Sequence, residues 1–119
     1  NGVSKNGATT RRYKRSVRIL KKLSNEMASN GIKSAENAPS FLIECLVFNA
    51  SIPCFQYQLF KPMMRAVLAE LFNNTLSIEK CSEWGEVSEL KYLFRGSQPW
   101  TRESAHQFLS DAWNYIGYE

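Results

Sequence analysis

Residues 9–31 read TTRRYKRSVRILKKLSNEMASNG, and their periodicity is helical. Tyr13, Val17, Leu20, Leu23 (or Ser24) and Met27 recur at spacings of three and four, the pattern of one apolar stripe on a helix. Arg11, Arg12, Lys14, Arg15, Arg18, Lys21 and Lys22 fill most of the remaining surface of the first half. Thr9 or Thr10 suits the start, where a side-chain oxygen can accept a free backbone N–H. Gly31 suits the end, because glycine tolerates the left-handed conformation that closes helices. The segment is therefore expected to bury one side and present a dense cationic side.

A short polar loop follows at residues 32–38, and then PSFLIECLVFNASIP. Pro39 fits a first helical position or the turn before it, and Ser40 fits a cap. Phe41, Leu42, Cys45, Leu46 and Phe48 are apolar nearly all round, so this second helix is expected at the centre of the core. Glu44 is the exception. A buried carboxylate needs a partner, which the cationic face of the first helix could supply; the alternative is that Glu44 points to solvent. Pro62 sits in the first turn of a third helix, KPMMRAVLAELFNN, with Glu70 as its polar exception. Leu76, Ile78, Trp84, Val87, Leu90, Leu93 and Phe94 mix spacings, which predicts an irregular connector of short turns, with a small strand as the alternative. Thr101 caps the last helix and Trp100 precedes it as a hydrophobic staple. Its buried stripe is Ala105, Phe108, Leu109, Ala112, Trp113 and Ile116, ended by Gly117. The fold class is mainly α: a compact bundle of four to five helices in a single domain over residues 1–119, with residues 1–8 as an extended lead-in.

A chain of 119 residues can bury a core without disulfides or metal. Its longest apolar run, SFLIECLVF, is too short to span a bilayer and carries Glu44, so no membrane partner is expected. The first twelve residues contain no apolar run of the signal-peptide kind. Cys45, Cys54 and Cys81 are odd in number and lack metal-like spacing, which fits free thiols in the cytoplasm. The sequence starts without methionine, which suggests a piece of a longer protein. Charge is polarised: residues 1–25 hold eight Lys/Arg and no acid, whereas the remainder holds seven Lys/Arg and eleven Asp/Glu. Eight cations without interleaved carboxylates repel one another, so a phosphate or acidic partner for this face competes with the reading of a solvated surface.

No paired catalytic carboxylates, glycine-rich phosphate loop, nucleophile elbow or zinc spacing is present. His106 reads as a surface or boundary residue, and the three cysteines read as core. So do Trp84, Trp100, Phe108, Trp113 and Tyr115. Two features stand out. Arg18 and Lys21, three apart, share one side of the first helix and can grip neighbouring phosphate oxygens, one as a fork and one as a point charge. Ser40 and Phe41 open the second helix, whose N-terminus offers free N–H groups to an anion; the hydroxyl could donate to a phosphate and the ring could stack on a base. Together they describe a triphosphate cradle without a catalytic metal site.

RRYKRSVRILKKL, followed about twenty residues later by PSFLIECLVFN, resembles the C-terminal helical domain of polymerase-β-type nucleotidyltransferases, in particular the cGAS/DncV-like bacterial enzymes and the oligoadenylate synthases. The tail EWGEVSELKYLF…QPWTRESAHQFLSDAWNYIGY is similar to the end of the bacterial members. The resemblance implies a two-lobed parent enzyme. Its N-terminal lobe would carry a Gly-Ser motif followed by three acidic residues for two Mg²⁺, a combination absent here. The helical lobe would contact the triphosphate through Lys21 and Ser40, with Arg18 at a position where a further basic residue is common and Phe41 where an aromatic stacks on the donor base. Glu44 matches a recurrent, structural glutamate. The implied function is synthesis of cyclic oligonucleotide second messengers from ATP- or GTP-type triphosphates in antiphage signalling. This chain alone lacks the carboxylates for it. The rivals are a stand-alone basic helical module binding nucleic acid and an adaptor docking on an acidic protein.

Overall fold

The computed structural model describes residues 2–88, 91–96 and 98–118. Among them the chain forms α1 (Gly2–Ala8), α2 (Arg12–Ser29), α3 (Lys33–Glu36), α4 (Ser40–Phe48), α5 (Phe60–Asn74), α6 (Ile78–Cys81) and α7 (Arg102–Ile116), with a 3-10 turn (Ile52–Phe55) between α4 and α5. The class is mainly α, as the periodicity predicts. The four long helices expected are α2, α4, α5 and α7. The connector holds the single turn α6 and one isolated antiparallel bridge between Gly85 and Tyr92, the only strand pairing among the described residues. Asn1 and Leu90, on which expectations also fell, lie outside the described residues.

α2 buries Tyr13, Val17, Leu20 and Met27, with Ser16 and Ser24 on the same side. Full burial of apolar side chains of this size is worth roughly 1.5–3 kcal/mol each, so the stripe fixes how the helix lies. The start is more elaborate than a single cap. Thr10 and Arg11 adopt positive φ of 54° and 66°. The Thr9 hydroxyl then accepts the Tyr13 N–H at 3.0 Å, and the Asn6 side-chain Oδ1 accepts the Lys14 N–H at 3.2 Å. At the other end Gly31 has φ 82°. Its N–H bonds the Ala28 carbonyl and the Ile32 N–H bonds that of Met27, the paired closure that a left-handed residue permits.

The extended lead-in expected over residues 1–8 is corrected: Gly2–Ala8 is helical. Its composition is poor for a helix, and a contact distant in sequence compensates. Lys5 Nζ donates to the carbonyls of Phe48, at 2.5 Å, and Ala50, at the C-terminal end of α4. There it complements both the orphan carbonyls and the negative end of the helix dipole.

α4 is apolar on most sides, burying Leu42, Ile43, Cys45, Leu46 and Val47. It packs on α2, while α5 packs on α7 and on the 3-10 turn. α3, in the segment expected as a loop, is one turn wedged between α2 and α7. Glu70, the polar exception on α5, accepts both the backbone N–H and the hydroxyl of Ser51 at 2.6 Å, which anchors the start of the 3-10 turn. α7 begins with a capping box between Thr101 and Ser104 and ends at Gly117, φ 93°. The Cα radius of gyration is 13.2 Å, close to the ~13.5 Å that a compact chain of this length should have. Among the described residues no helix is long and apolar enough to cross a membrane.

Candidate functional site

The eight cations of residues 1–25 divide into three groups. Lys5 and Arg12 are spent on the fold: Lys5 holds α1, and Arg12 donates to the Phe55 carbonyl at 3.1 Å. Lys14 and Lys21 face α4 and share one carboxylate, Glu44, at 3.4 and 4.0 Å. Arg11, Arg15, Arg18 and Lys22 are exposed. Glu44 is therefore partnered by the cationic face of α2, the first of the two alternatives read from sequence. Its side chain is 23% exposed, so it sits at the seam between the helices rather than in the core.

Lys21 is half-buried and Arg18, three residues before it, is exposed on the same side of α2. Ser40 occupies the first position of α4, exposed, with Pro39 before it at φ −65° and ψ 152°. The cap expected at Ser40 is thus one residue late: Pro39 is the boundary residue, and the Ser40 hydroxyl lies at the mouth of the helix. Ser40 and Glu44 are four apart and share a face of α4. Through Glu44, the tip of Lys21 is drawn to that face. Phe41 is turned by about 100° from Ser40 around the helix. It is 39% exposed and lies against Trp100, ring centroids 6.2 Å apart at 47°. The Trp100 indole N–H is fixed to the Leu93 carbonyl at 2.8 Å. Lys21, Ser40 and Glu44 are thus brought to one seam, Arg18 stands beside it, and Phe41 flanks it on an aromatic support.

Two contributors escaped the sequence reading. Lys14 is the nearer partner of Glu44; its spacing of seven from Lys21, two helical turns, was the available signal. Trp100 behind Phe41 left no signal, because the two are 59 positions apart in the chain. A groove of about 410 Å³ between α5 and α7, lined by Ala69, Phe72, Asn73, Ser110, Trp113 and Asn114, lies elsewhere.

Other titratable groups have structural settings. His106 is half-buried, stacked on Phe72 at 4.3 Å, with Nδ1 at 2.8 Å from the Thr75 hydroxyl. Burial, then the Arg102 charge, lowers its pKa. Cys45, Cys54 and Cys81 are free and buried. Burial pushes the Cys45 thiol up to about 11 and raises the other two, so none is poised as a thiolate nucleophile. Among the described residues no group of three or more His, Cys, Asp or Glu could hold a metal ion. The carboxylate at the seam does not fit Mg²⁺ either, since it stands alone between two ammonium groups.

A family model described as the cGAS/DncV-like nucleotidyltransferase C-terminal helical domain matches residues 1–117. The chain is 39% identical over 119 residues to the cyclic dipyrimidine nucleotide synthase CdnE of Cecembia lonarensis, covering 99% of this chain and 40% of that protein. It is 38% identical over 116 residues to the enzyme of the same name from Legionella pneumophila, covering 98% and 38%. The structure of the Elizabethkingia meningoseptica CdnE cyclic dinucleotide synthase with GTP and Apcpp matches with a TM-score of 0.90 at 34% identity, over 99% of this chain and 42% of that one. The chain thus spans about 40% of the length of the relatives it matches.

Proposed function

The chain belongs to the family of cGAS/DncV-like nucleotidyltransferase C-terminal helical domains, and from that premise we propose that it is the nucleotide-contacting lobe of an enzyme that joins nucleoside triphosphates into cyclic oligonucleotide second messengers for antiphage signalling. The observation that carries the proposal is the match along 99% of the chain to a synthase solved with GTP and Apcpp. The seam supports it chemically. Lys21 supplies an ammonium, Arg18 a planar fork, Ser40 a hydroxyl donor, and the first N–H groups of α4 a positive dipole end. Phe41, partly exposed on its Trp100 support, offers a ring face to a base.

In the reaction class proposed, a ribose hydroxyl attacks an α-phosphate and pyrophosphate leaves. The residues of this chain make no bond to the reacting atoms. They neutralise charge on the triphosphate and hold it in one orientation, which is how positioned donors lower such barriers. An N-terminal catalytic lobe would face the seam. Mg²⁺ would be held there, on carboxylates outside this stretch, and would supply charge neutralisation at the phosphates.

The test is product analysis. The intact parent protein, incubated with Mg²⁺ and the four ribonucleoside triphosphates, should release pyrophosphate and a nuclease-resistant cyclic product resolved by mass spectrometry. Only linear products, or none under conditions where the protein is folded, would overturn the proposal. A retained affinity for duplex nucleic acid that falls steeply with salt, with no turnover, would instead favour a phosphate-tracking binding module.

A further inference from the structure

The structure holds a carboxylate inside a face whose proposed task is to bind an anion. Glu44 lies in the second turn of α4, within 3.4 Å of Lys14 and 4.0 Å of Lys21. A negative charge there should repel a triphosphate unless it does something useful. We propose that Glu44 is a positioning residue: it holds the Lys21 ammonium beside Ser40 so that a triphosphate meets an assembled set of donors. The inference rests on the triphosphate reading of the seam given above.

Three observations carry it. First, Glu44 and Ser40 are four apart on α4, and side chains on a helix lean toward its N-terminus. The Glu44 carboxylate therefore leans toward the turn that Ser40 opens, and Lys21 follows it. Second, Lys21 is a flexible four-carbon stem that is only half-buried. Such a stem carries much rotamer freedom, and a tether in place beforehand leaves less of it to be lost on binding. Third, Glu44 has two ammonium partners, and Lys14 is the nearer. When Lys21 turns to a phosphate oxygen, Lys14 still neutralises Glu44. The second lysine explains how the carboxylate is tolerated so close to the anion.

The intact parent protein, with Mg²⁺ and triphosphate substrate, provides the test. Glu44→Gln removes the charge and keeps the shape. It should raise KM for the triphosphate by about two- to fivefold, the range of a partly exposed ion pair, with kcat within about twofold and a melting temperature lowered by no more than about 8 °C, the upper bound for losing both ion pairs. In the Lys21→Ala background the same substitution should have no effect on KM, because the residue through which it acts is gone. Glu44→Asp keeps the charge but shortens the reach, so it should also raise KM; it serves as the second variant if Gln impairs folding. A lower KM in Glu44→Gln would mean that repulsion dominates and would overturn the inference, and an equal cost in both backgrounds would do the same. Lys21→Ala without kinetic effect would instead overturn the triphosphate reading itself.

Discussion

Under the proposed function, replacing Lys21 with alanine should separate catalysis from stability. In the folded chain the Lys21 ammonium is 4.0 Å from Glu44, with about a third of its side chain exposed. An ion pair of that length and exposure contributes no more than about 1 kcal/mol, and less in salt. Glu44 also keeps its nearer partner, Lys14. The melting temperature should therefore fall by no more than about 4 °C. The cost to catalysis is of another size. A charge-assisted hydrogen bond to a phosphate is worth about 1.5–3 kcal/mol. With each 1.36 kcal/mol equal to a factor of ten, kcat/KM should drop by about 10- to 150-fold. The drop should appear in KM for the triphosphate and also in turnover, because the phosphate is held less well as charge develops. Steady-state pyrophosphate release by the intact parent protein measures both, and a thermal melt of the same preparation measures stability. A kcat/KM within twofold of the unmodified protein would refute the assignment of Lys21 to the phosphates. So would a loss explained entirely by unfolding at the assay temperature.

Lys5→Met should destabilise the chain by about 2–3 kcal/mol, read from urea unfolding, since two carbonyls at the end of α4 lose a charged donor; an unchanged midpoint would mean that α1 does not depend on this bond. Thr101→Ala removes the capping box of α7 and should cost about 1 kcal/mol, whereas Thr101→Ser should restore most of it. His106 has a folded-state pKa below the usual 6.5, chiefly through burial. The unfolded chain therefore binds more protons just below pH 6.5, so stability present above 6.5 is lost as pH falls toward the folded-state value. His106→Gln should flatten that part of the stability profile, and an unaltered slope would show that His106 is not its source.

The parts of the fold legible in the sequence are those governed by local pattern. α2, α5 and α7 announce themselves by stripes of period 3.6, and Gly31, Gly117 and Thr101 mark ends through local backbone chemistry. What was not legible depends on partners far along the chain. α1 has two glycines and two asparagines in or beside seven residues, and it is held by carbonyls 43 and 45 positions away. Glu70 reads as an odd carboxylate on α5 until Ser51 is seen 19 positions before it. The site follows the same division. Spacing puts Arg18 and Lys21 on one side of α2 and Ser40 at the head of α4. It does not say that one carboxylate would gather Lys14 and Lys21, nor that Trp100 would stand behind Phe41.

The three buried thiols turn the protein into its own clock. Cys45 lies in α4, Cys54 in the 3-10 turn and Cys81 in α6, each no more than 7% exposed. With their pKa values raised, they are shielded from an alkylating reagent both sterically and chemically while folded. Each becomes reactive only when its own neighbourhood opens. Pulses of reagent, followed by peptide mass spectrometry, would time the opening of three separate regions in one native sample without any introduced label. Repeated with and without triphosphate, the α4 thiol, next in the chain to Glu44, reports whether occupancy of the seam steadies the helix that carries Ser40.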